Sequence, residues 1–267
     1  MSEGLLTTPL KEDLLGLDGD SFASLVQSVA IQILHRPTEG INASIVKAAA
    51  AWGFWGGPVM PVEDQFSGVM DVTRCNQART FMRFCEEHPQ IETLVMLDND
   101  EEIGWMDPYK LALWALPVVS AVVCFNSPVR GPTANFLARD SAGRYRFPTL
   151  KKTKTMPRKG LLEVGAIGTG FLAIHKEVFG KMSAADMNPF EIPEEARREA
   201  FRTGQMSMGE DIAFSKQCTQ LGIPLHVDLS VHAIHDKIVK LLWPEEARTD
   251  ESIDSWRVNP EDFAVDV

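Results

Sequence analysis

Residues 94–100 read Leu-Val-Met-Leu-Asp-Asn-Asp, an apolar run that ends in two carboxylates, Asp98 and Asp100, on either side of an amide, Asn99. Consecutive apolar residues between polar ones fit a strand covered on both faces, and a short buried helix has the same local pattern. Ligands collect at the carboxyl ends of strands in open α/β sheets, so a strand here delivers acid to a crevice. In an extended segment, alternation turns both carboxylates to one side. There they can hold a hard divalent cation that keeps water and phosphate oxygens among its ligands. The competing reading is a polar turn ahead of the next helix, because Asp and Asn are ordinary turn residues.

Other groups with chemical capacity lie further along. Glu210 and Asp211 follow Gly209 and open an amphipathic stretch, 212–221, closed by Gly222. Acids in a first helical turn are favoured by the helix dipole, and the same position suits a general base held within hydrogen-bond reach of a hydroxyl. Gly168-Thr169-Gly170 precedes the apolar run 171–174. Its glycines either let backbone approach a ligand closely or simply make a turn. His232 and His235 follow a last strand, 224–231, and imidazole at a strand end readily joins carboxylates around a divalent metal.

From 129 to 160 nine basic residues face one acid, Asp140, in a chain that is otherwise strongly acidic. Such a run is either solvated surface or an electropositive flap for an anionic partner, a diphosphate or a nucleic-acid backbone.

The elements that must position these groups read as alternating strands and helices. A Val- and Ile-rich strand at 26–34 runs into a breaker-rich loop, 35–40. A helix at 41–52 follows, with Asn42 or Ser44 as its N-cap. Gly, Pro and Trp crowd 53–68, where 59–62 is the best strand. Apolar Ala78, Phe81, Met82 and Cys85 at i, i+3, i+4, i+7 spacing predict a helix over 73–87. Asp107 is read as the cap of a helix through 116 with Pro108 at its first position, and 118–125 is a further buried strand. The segment 183–208, with Pro189, Pro193 and a charged helix at 194–202, has the length of a lid over a binding site. Strand and helix in alternation predict an α/β fold with a mostly parallel central sheet flanked by helices.

At 267 residues, 45% hydrophobic, the chain has ample core. It divides into an acidic N-terminal extension (1–22), one domain (23–240) containing the basic insertion 129–160, and an acidic tail (241–267). A net charge of -11 argues against a general nucleic-acid coat or a membrane-surface protein. Cys75, Cys85, Cys124 and Cys218 lack zinc-like spacing and are expected as free thiols in a reducing compartment. The N-terminus lacks a basic region followed by an apolar one, and the longest apolar stretch, 111–125, is short and broken by Pro117. A cytoplasmic protein without a membrane span is the expectation.

Taken in order, Leu97-Asp98-Asn99-Asp100, Gly168-Thr169-Gly170-Phe171-Leu172-Ala173-Ile174 before a helix, Gly209-Glu210-Asp211, and Val227-Asp228 leading to His235 resemble a GT-A-fold glycosyltransferase. The likeness is to the small family 2-like enzymes of bacteria and phages. Thr73-Arg74-Cys75-Asn76 also resembles their Arg-Asn signature. The resemblance spans 26–236, with the basic segment and both tails outside it.

That resemblance implies a transferase moving a sugar from a nucleotide-diphosphate donor, UDP- or GDP-linked, to an acceptor hydroxyl, with inversion more in keeping than retention. It implies that Asp98 and Asp100 form an Asp-x-Asp element holding donor and Mn²⁺ or Mg²⁺. Asn99 lies between them, and His235 serves as a late metal ligand with His232 as second choice. Asp211 matches the catalytic base and Glu210 its fallback. Pro37, Thr38, Arg74 and Asn76 match nucleotide contacts, and Gly168, Thr169 and Gly170 would line the donor-sugar and acceptor pocket. From charge alone, Lys151 and Lys152 would close over the diphosphate. The chain departs from the pattern in showing no extended acceptor domain or membrane helix, which favours a soluble acceptor, protein or modified nucleic acid, met by the basic segment. Two alternatives stand beside it. A nucleotidyltransferase should carry a basic, Gly-rich phosphate loop where 37–40 reads Pro-Thr-Glu-Gly, and a non-catalytic nucleotide- or sugar-binding module would keep the site without turnover.

Overall fold

The chain is described here from a computed structural model covering residues 19–34, 41–54, 56–60, 70–127, 131–134, 136–139, 145–146, 160–204 and 208–235. Within those residues, the side chains of 19–22, 124–127, 131–134, 137–139, 145–146 and 234–235 are not described. Most of the N-terminal extension, the loop bearing Pro37 and Thr38, the part of the basic insertion bearing Lys151 and Lys152, and the acidic tail lie outside the described residues.

The apolar stretch expected as one strand from 26 is divided. Helix α1 (Gly19–Ser28) ends where β1 (Val29–Leu34) begins. Val26 is buried from the helix and Ser28 Oγ donates to Leu25 O at 2.9 Å, because an apolar run suits either period and packing decides between them. Helix α2 (Ala43–Phe54) is capped by Asn42, whose Oδ1 accepts from Ser44 N and Ser44 Oγ, both at 2.9 Å. Val59 makes a parallel bridge with Ile31, and residues 61 and 62 of the expected strand lie outside the described residues.

Helix α3 (Met70–Glu87) leads to β2 (Thr93–Asp98), followed by a turn and the two-residue β3 (Glu101–Glu102). Helix α4 (Asp107–Leu113) is shorter than expected, and Asp107 does not cap it. Met106 is the N-cap, while Asp107 binds Gly104 N (2.8 Å) and Lys110 Nζ (2.6 Å) as the first helical residue. Strands β4 (Val118–Ser127), β5 (Gly131–Ala134), β6 (Phe136–Arg139), β7 (Tyr145–Arg146), β8 (Leu161–Val164), β9 (Ala166–Ile167) and β10 (Phe171–His175) follow. Helices α5 (Lys176–Ala184), α6 (Glu194–Thr203) and α7 (Glu210–Gln220) precede the last strand, β11 (Leu225–His235).

The main sheet runs β1-β2-β10-β4-β11-β3, with β5 on β4 and β8 on β11. Along that path β1, β2, β4 and β11 share a direction, and β10 runs against them between β2 and β4. The sheet is therefore mixed. The antiparallel β10 has a positional consequence: its first residues lie beside the carboxyl end of β2, with Phe171 opposite Leu97.

Alternation buries the sheet on both sides. Leu94 and Met96 enter one core with α3, α5 and α7, through Phe81, Phe179 and Phe214; Val95 and Leu97 enter the other with α1, α2 and α4, through Val26, Trp52 and Tyr109. Each fully buried aliphatic or Phe side chain contributes about 1.5–3 kcal/mol relative to exposure. The thiols of Cys75, Cys85 and Cys218 are free and buried, which pushes them up to about 11, 11 and 12 respectively.

Candidate functional site

The strand end that the sequence singled out is a turn, not a continued extension. β2 stops at Asp98, and Asn99 and Asp100 reverse the chain into β3. Asn99 is buried, its N–H donating to Leu34 O (3.0 Å) and its carbonyl accepting from Asn42 N (2.8 Å). The turn is thereby bolted to the end of β1 and the start of α2. The two Asp carboxylates thus converge through the turn instead of through strand alternation.

Glu101, 1% exposed, joins them. Among the described residues, Asp98, Asp100 and Glu101 bring one carboxylate oxygen each within 4.8 Å of one another. Sequence reasoning passed over Glu101 because alternation places it opposite to Asp98 and Asp100. The signal that was available was an acid directly following Asp100 at a turn-prone Asp-Asn-Asp.

Two neighbours shape this cluster. Arg74, fully buried on α3, ion-pairs through Nη2 with Asp98 Oδ1 and donates from Nη1 to Gln77 Oε1 at 3.3 Å. Its charge is committed to the strand end. Gly170 lies on the other side, with its carbonyl accepting from Asp98 N at 2.8 Å. A Cβ at this position would meet Glu101 Oε1 at 2.6 Å and Asp98 Oδ2 at 3.3 Å, so only glycine allows the acids to lie this close to the backbone.

The glycine segment also links the cluster to α7. Thr169 is buried and Thr169 Oγ1 donates to Glu210 Oε1 at 3.4 Å, while Ile167 N donates to Ser215 Oγ at 3.1 Å. Asp211 Oδ1 accepts from Ile212 N at 2.7 Å. Burial, and next the neighbouring Glu210 carboxylate, push Asp211 up to about 6; backbone N–H groups and the Arg74 guanidinium oppose that rise. Thr169 and Gly170, adjacent in the chain, thereby connect the start of α7 to the end of β2.

The remaining expected residues divide. Asn76 is half-buried and its Oδ1 accepts from Arg79 Nη1 at 3.3 Å on the outer side of α3. Backbone register sets His235 opposite Glu101, and its side chain is outside the description. His232 lies three positions earlier, opposite Val122, and burial together with Lys110 holds it down at about 4. Pro37, Thr38, Lys151 and Lys152 are outside the described residues.

The segment expected as a lid is fastened along part of its length. Phe190 stacks on Phe214 with centroids 4.4 Å apart, Arg197 ion-pairs with buried Asp71, and Cys75 Sγ donates to Pro189 O at 2.8 Å.

The arrangement combines oxygen donors of high charge density with a carboxylate whose proton affinity is near neutrality. Those are the groups that bind a divalent cation and that accept a proton from a hydroxyl.

No family model matches the sequence, and no curated protein matches it. Among solved structures, the chain is similar to protein A197 from STIV at 15% identity and a TM-score of 0.45, over 78% of this chain and 84% of that one. It is also similar to GalNAc-T7, solved with UDP, GalNAc and Mn²⁺, at 13% identity and a TM-score of 0.45, over 78% of this chain and 43% of that one. A glycosyltransferase involved in glycosylating the major capsid of PBCV-1 matches at 13% identity and a TM-score of 0.31, over 75% and 93%. Among the described residues, no helix is long and apolar enough to cross a membrane.

Proposed function

We propose that this chain is a divalent-cation-dependent glycosyltransferase that moves a sugar from a nucleotide-diphosphate donor to an acceptor hydroxyl with inversion. The observation that carries the reading is the convergence of Asp98, Asp100 and Glu101 beside Gly170 at the carboxyl end of β2. The motif order seen in the sequence supports it independently.

The donor set fits the cation. Three carboxylates are hard oxygen ligands, and a mutual spacing within 4.8 Å is what one coordination sphere spans at ligand distances of about 2.0–2.6 Å. Asp98 offers Oδ2, since Oδ1 is engaged by Arg74. His235 would complete the set from β11. When bound, Mn²⁺ or Mg²⁺ supplies Lewis-acid stabilisation to a diphosphate leaving group.

The chain's own residues do the rest. Arg74 keeps Asp98 aimed and spreads positive charge under the strand end. Gly168, Thr169 and Gly170 leave room for the sugar beside the acids. Asp211 takes the proton as the acceptor O–H bond breaks and the new bond to the anomeric carbon forms; the electron pair of the breaking bond leaves with the diphosphate. Inversion requires the base to act from the side of the sugar opposite the leaving group, the role this reading gives Asp211. In this reading Glu210 braces Thr169, and Pro37, Thr38, Lys151 and Lys152 complete the donor pocket, while Asn76 stays on the outer side of α3.

The test is calorimetric titration of nucleoside diphosphates and UDP- and GDP-sugars, with and without Mn²⁺, into wild type and Asp100→Ala. Metal-dependent binding of one nucleotide, lost in the variant, is expected. A folded wild type that binds no nucleotide at all would end the transferase reading.

A further inference from the structure

β11 does not run evenly along β4. His226, Val227 and Asp228 pair with Val119, Ser120 and Ala121, and the next pairs are His232 with Val122, Ala233 with Val123 and Ile234 with Cys124. Residues 229–231 have no counterpart on β4 and form a bulge.

The bulge exchanges faces. Leu225, Val227 and Leu229 enter one core, whereas Val231 and Ala233 enter the core on the other side of the sheet. In an uninterrupted strand all five odd positions would share one face. The bulge also changes which histidine arrives at the end. If the register of 226–228 continued unbroken, His232 would stand one step past the partner of Cys124; with the bulge in place that position belongs to His235, opposite Glu101.

A single carboxylate holds this detour. Asp228, the one carboxylate in β11, is fully buried. Its Oδ1 accepts from Ser230 N (2.8 Å) and Ser230 Oγ (2.7 Å), turning the chain back on itself two residues later. Its Oδ2 accepts from Trp114 Nε1 at 2.8 Å, which ties the turn to the end of α4. Leu229 N donates to Gly160 O at 3.0 Å and closes the other side. A buried carboxylate is costly unless its oxygens are satisfied, and here each accepts a hydrogen bond from a group that defines the bulge.

We propose that Asp228 is a positioning residue: by clamping the bulge through Ser230 and Trp114 it delivers His235, and not His232, to the position opposite Glu101. The proposal rests on the reading of the acidic cluster as a divalent-cation site.

The test uses the full chain loaded with Mn²⁺, read by calorimetry and by nitrogen coupling in pulsed electron paramagnetic resonance, with cross-strand amide contacts from nuclear magnetic resonance as a metal-independent measure of register. In wild type, His235→Ala should remove the nitrogen coupling and His232→Ala should leave it. In Asp228→Ala the amide contacts between 232–234 and 122–124 should be lost and Mn²⁺ affinity should fall on the order of 10–100-fold. Any remaining nitrogen coupling should depend on His232. Asp228→Asn, which keeps an oxygen for Ser230 but sets an amide N–H₂ against the Trp114 Nε1–H donor, should keep the His235 dependence with faster amide exchange at 229–235. Should Asp228→Ala not fold, Trp114→Phe decides: faster amide exchange at 229–235 with weaker Mn²⁺ binding supports the clamp, and no change in either overturns it. Asp228→Ala with native amide contacts and intact His235 dependence would also overturn it. Wild-type Mn²⁺ without nitrogen coupling overturns the selection of His235 while the carboxylate site stands. Absence of Mn²⁺ binding in wild type removes the underlying metal reading before any variant is compared.

Discussion

Asp211 meets two opposed demands at one carboxylate. Burial and Glu210 hold it at about 6 against an ordinary 3.8, so at neutral pH it is ionised and still basic enough to take a hydroxyl proton. The proposed role as base requires Asp211 deprotonated, so kcat/KM should be level above pH 6 and fall about tenfold per pH unit below it. Asp211→Asn should lose about 10²–10⁴-fold in turnover with donor binding unchanged by calorimetry, and wild-type-like turnover would refute the assignment. Stability should move the other way. A folded-state pKa above the unfolded value favours the fold at low pH, and that contribution is lost as pH rises through about 6. Asp211→Asn should therefore melt higher than wild type at pH 8 and gain little at pH 4.

At the scale of elements, the site depends on α3 being tied to the end of β2. Arg74, wholly buried, meets Asp98, whose side chain is 19% exposed, and no other residue type spans from that helix with a charged fork. Arg74→Met should remove the guanidinium from Asp98 and cost about 3 kcal/mol, the lower end for a broken buried pair because Asp98 keeps some water. In a chain of this size that lowers Tm by roughly 6–12 °C. A melting point within 2 °C of wild type would show that the pair holds nothing together. The connection from α5 to α6 is anchored in a comparable way, by Phe190 stacked on Phe214 and by Arg197 on Asp71. Neither partner is near the other in sequence, and no local pattern marks them as a pair.

Across the whole molecule, the proposed cation site predicts a link between metal and stability. Three carboxylates within 4.8 Å repel one another beyond what Arg74 offsets at Asp98, and a bound cation would relieve that repulsion. Mn²⁺ at about 100 times its Kd should stabilise the fold by roughly 2.7 kcal/mol, raising Tm by about 5–10 °C in thermal-shift measurements. Asp100→Asn should melt slightly higher than wild type without metal and show no response to Mn²⁺. A metal-independent melting point in wild type would mean that the acids are a structural turn.

Much of this architecture is written locally. The apolar run before Asp98, the periodicity of 73–87 and the glycine closing 212–221 each depend on residues a few positions apart, and each element stands where its pattern puts it within a turn or less. Asp98, Asp100 and Asp211 stand out as candidates in the sequence because acids at strand ends and helix starts contrast with apolar neighbours. What local pattern could not carry was direction and register. Whether β10 runs with or against β2, whether Asp100 continues a strand or turns Glu101 back toward Asp98, and whether His232 or His235 ends opposite Glu101 depend on pairings between segments far apart in the chain. Those pairings are decided by which faces can be buried together, and Asp228 with Trp114 acts at that level: 114 residues separate them, and only the folded sheet brings them within one hydrogen bond.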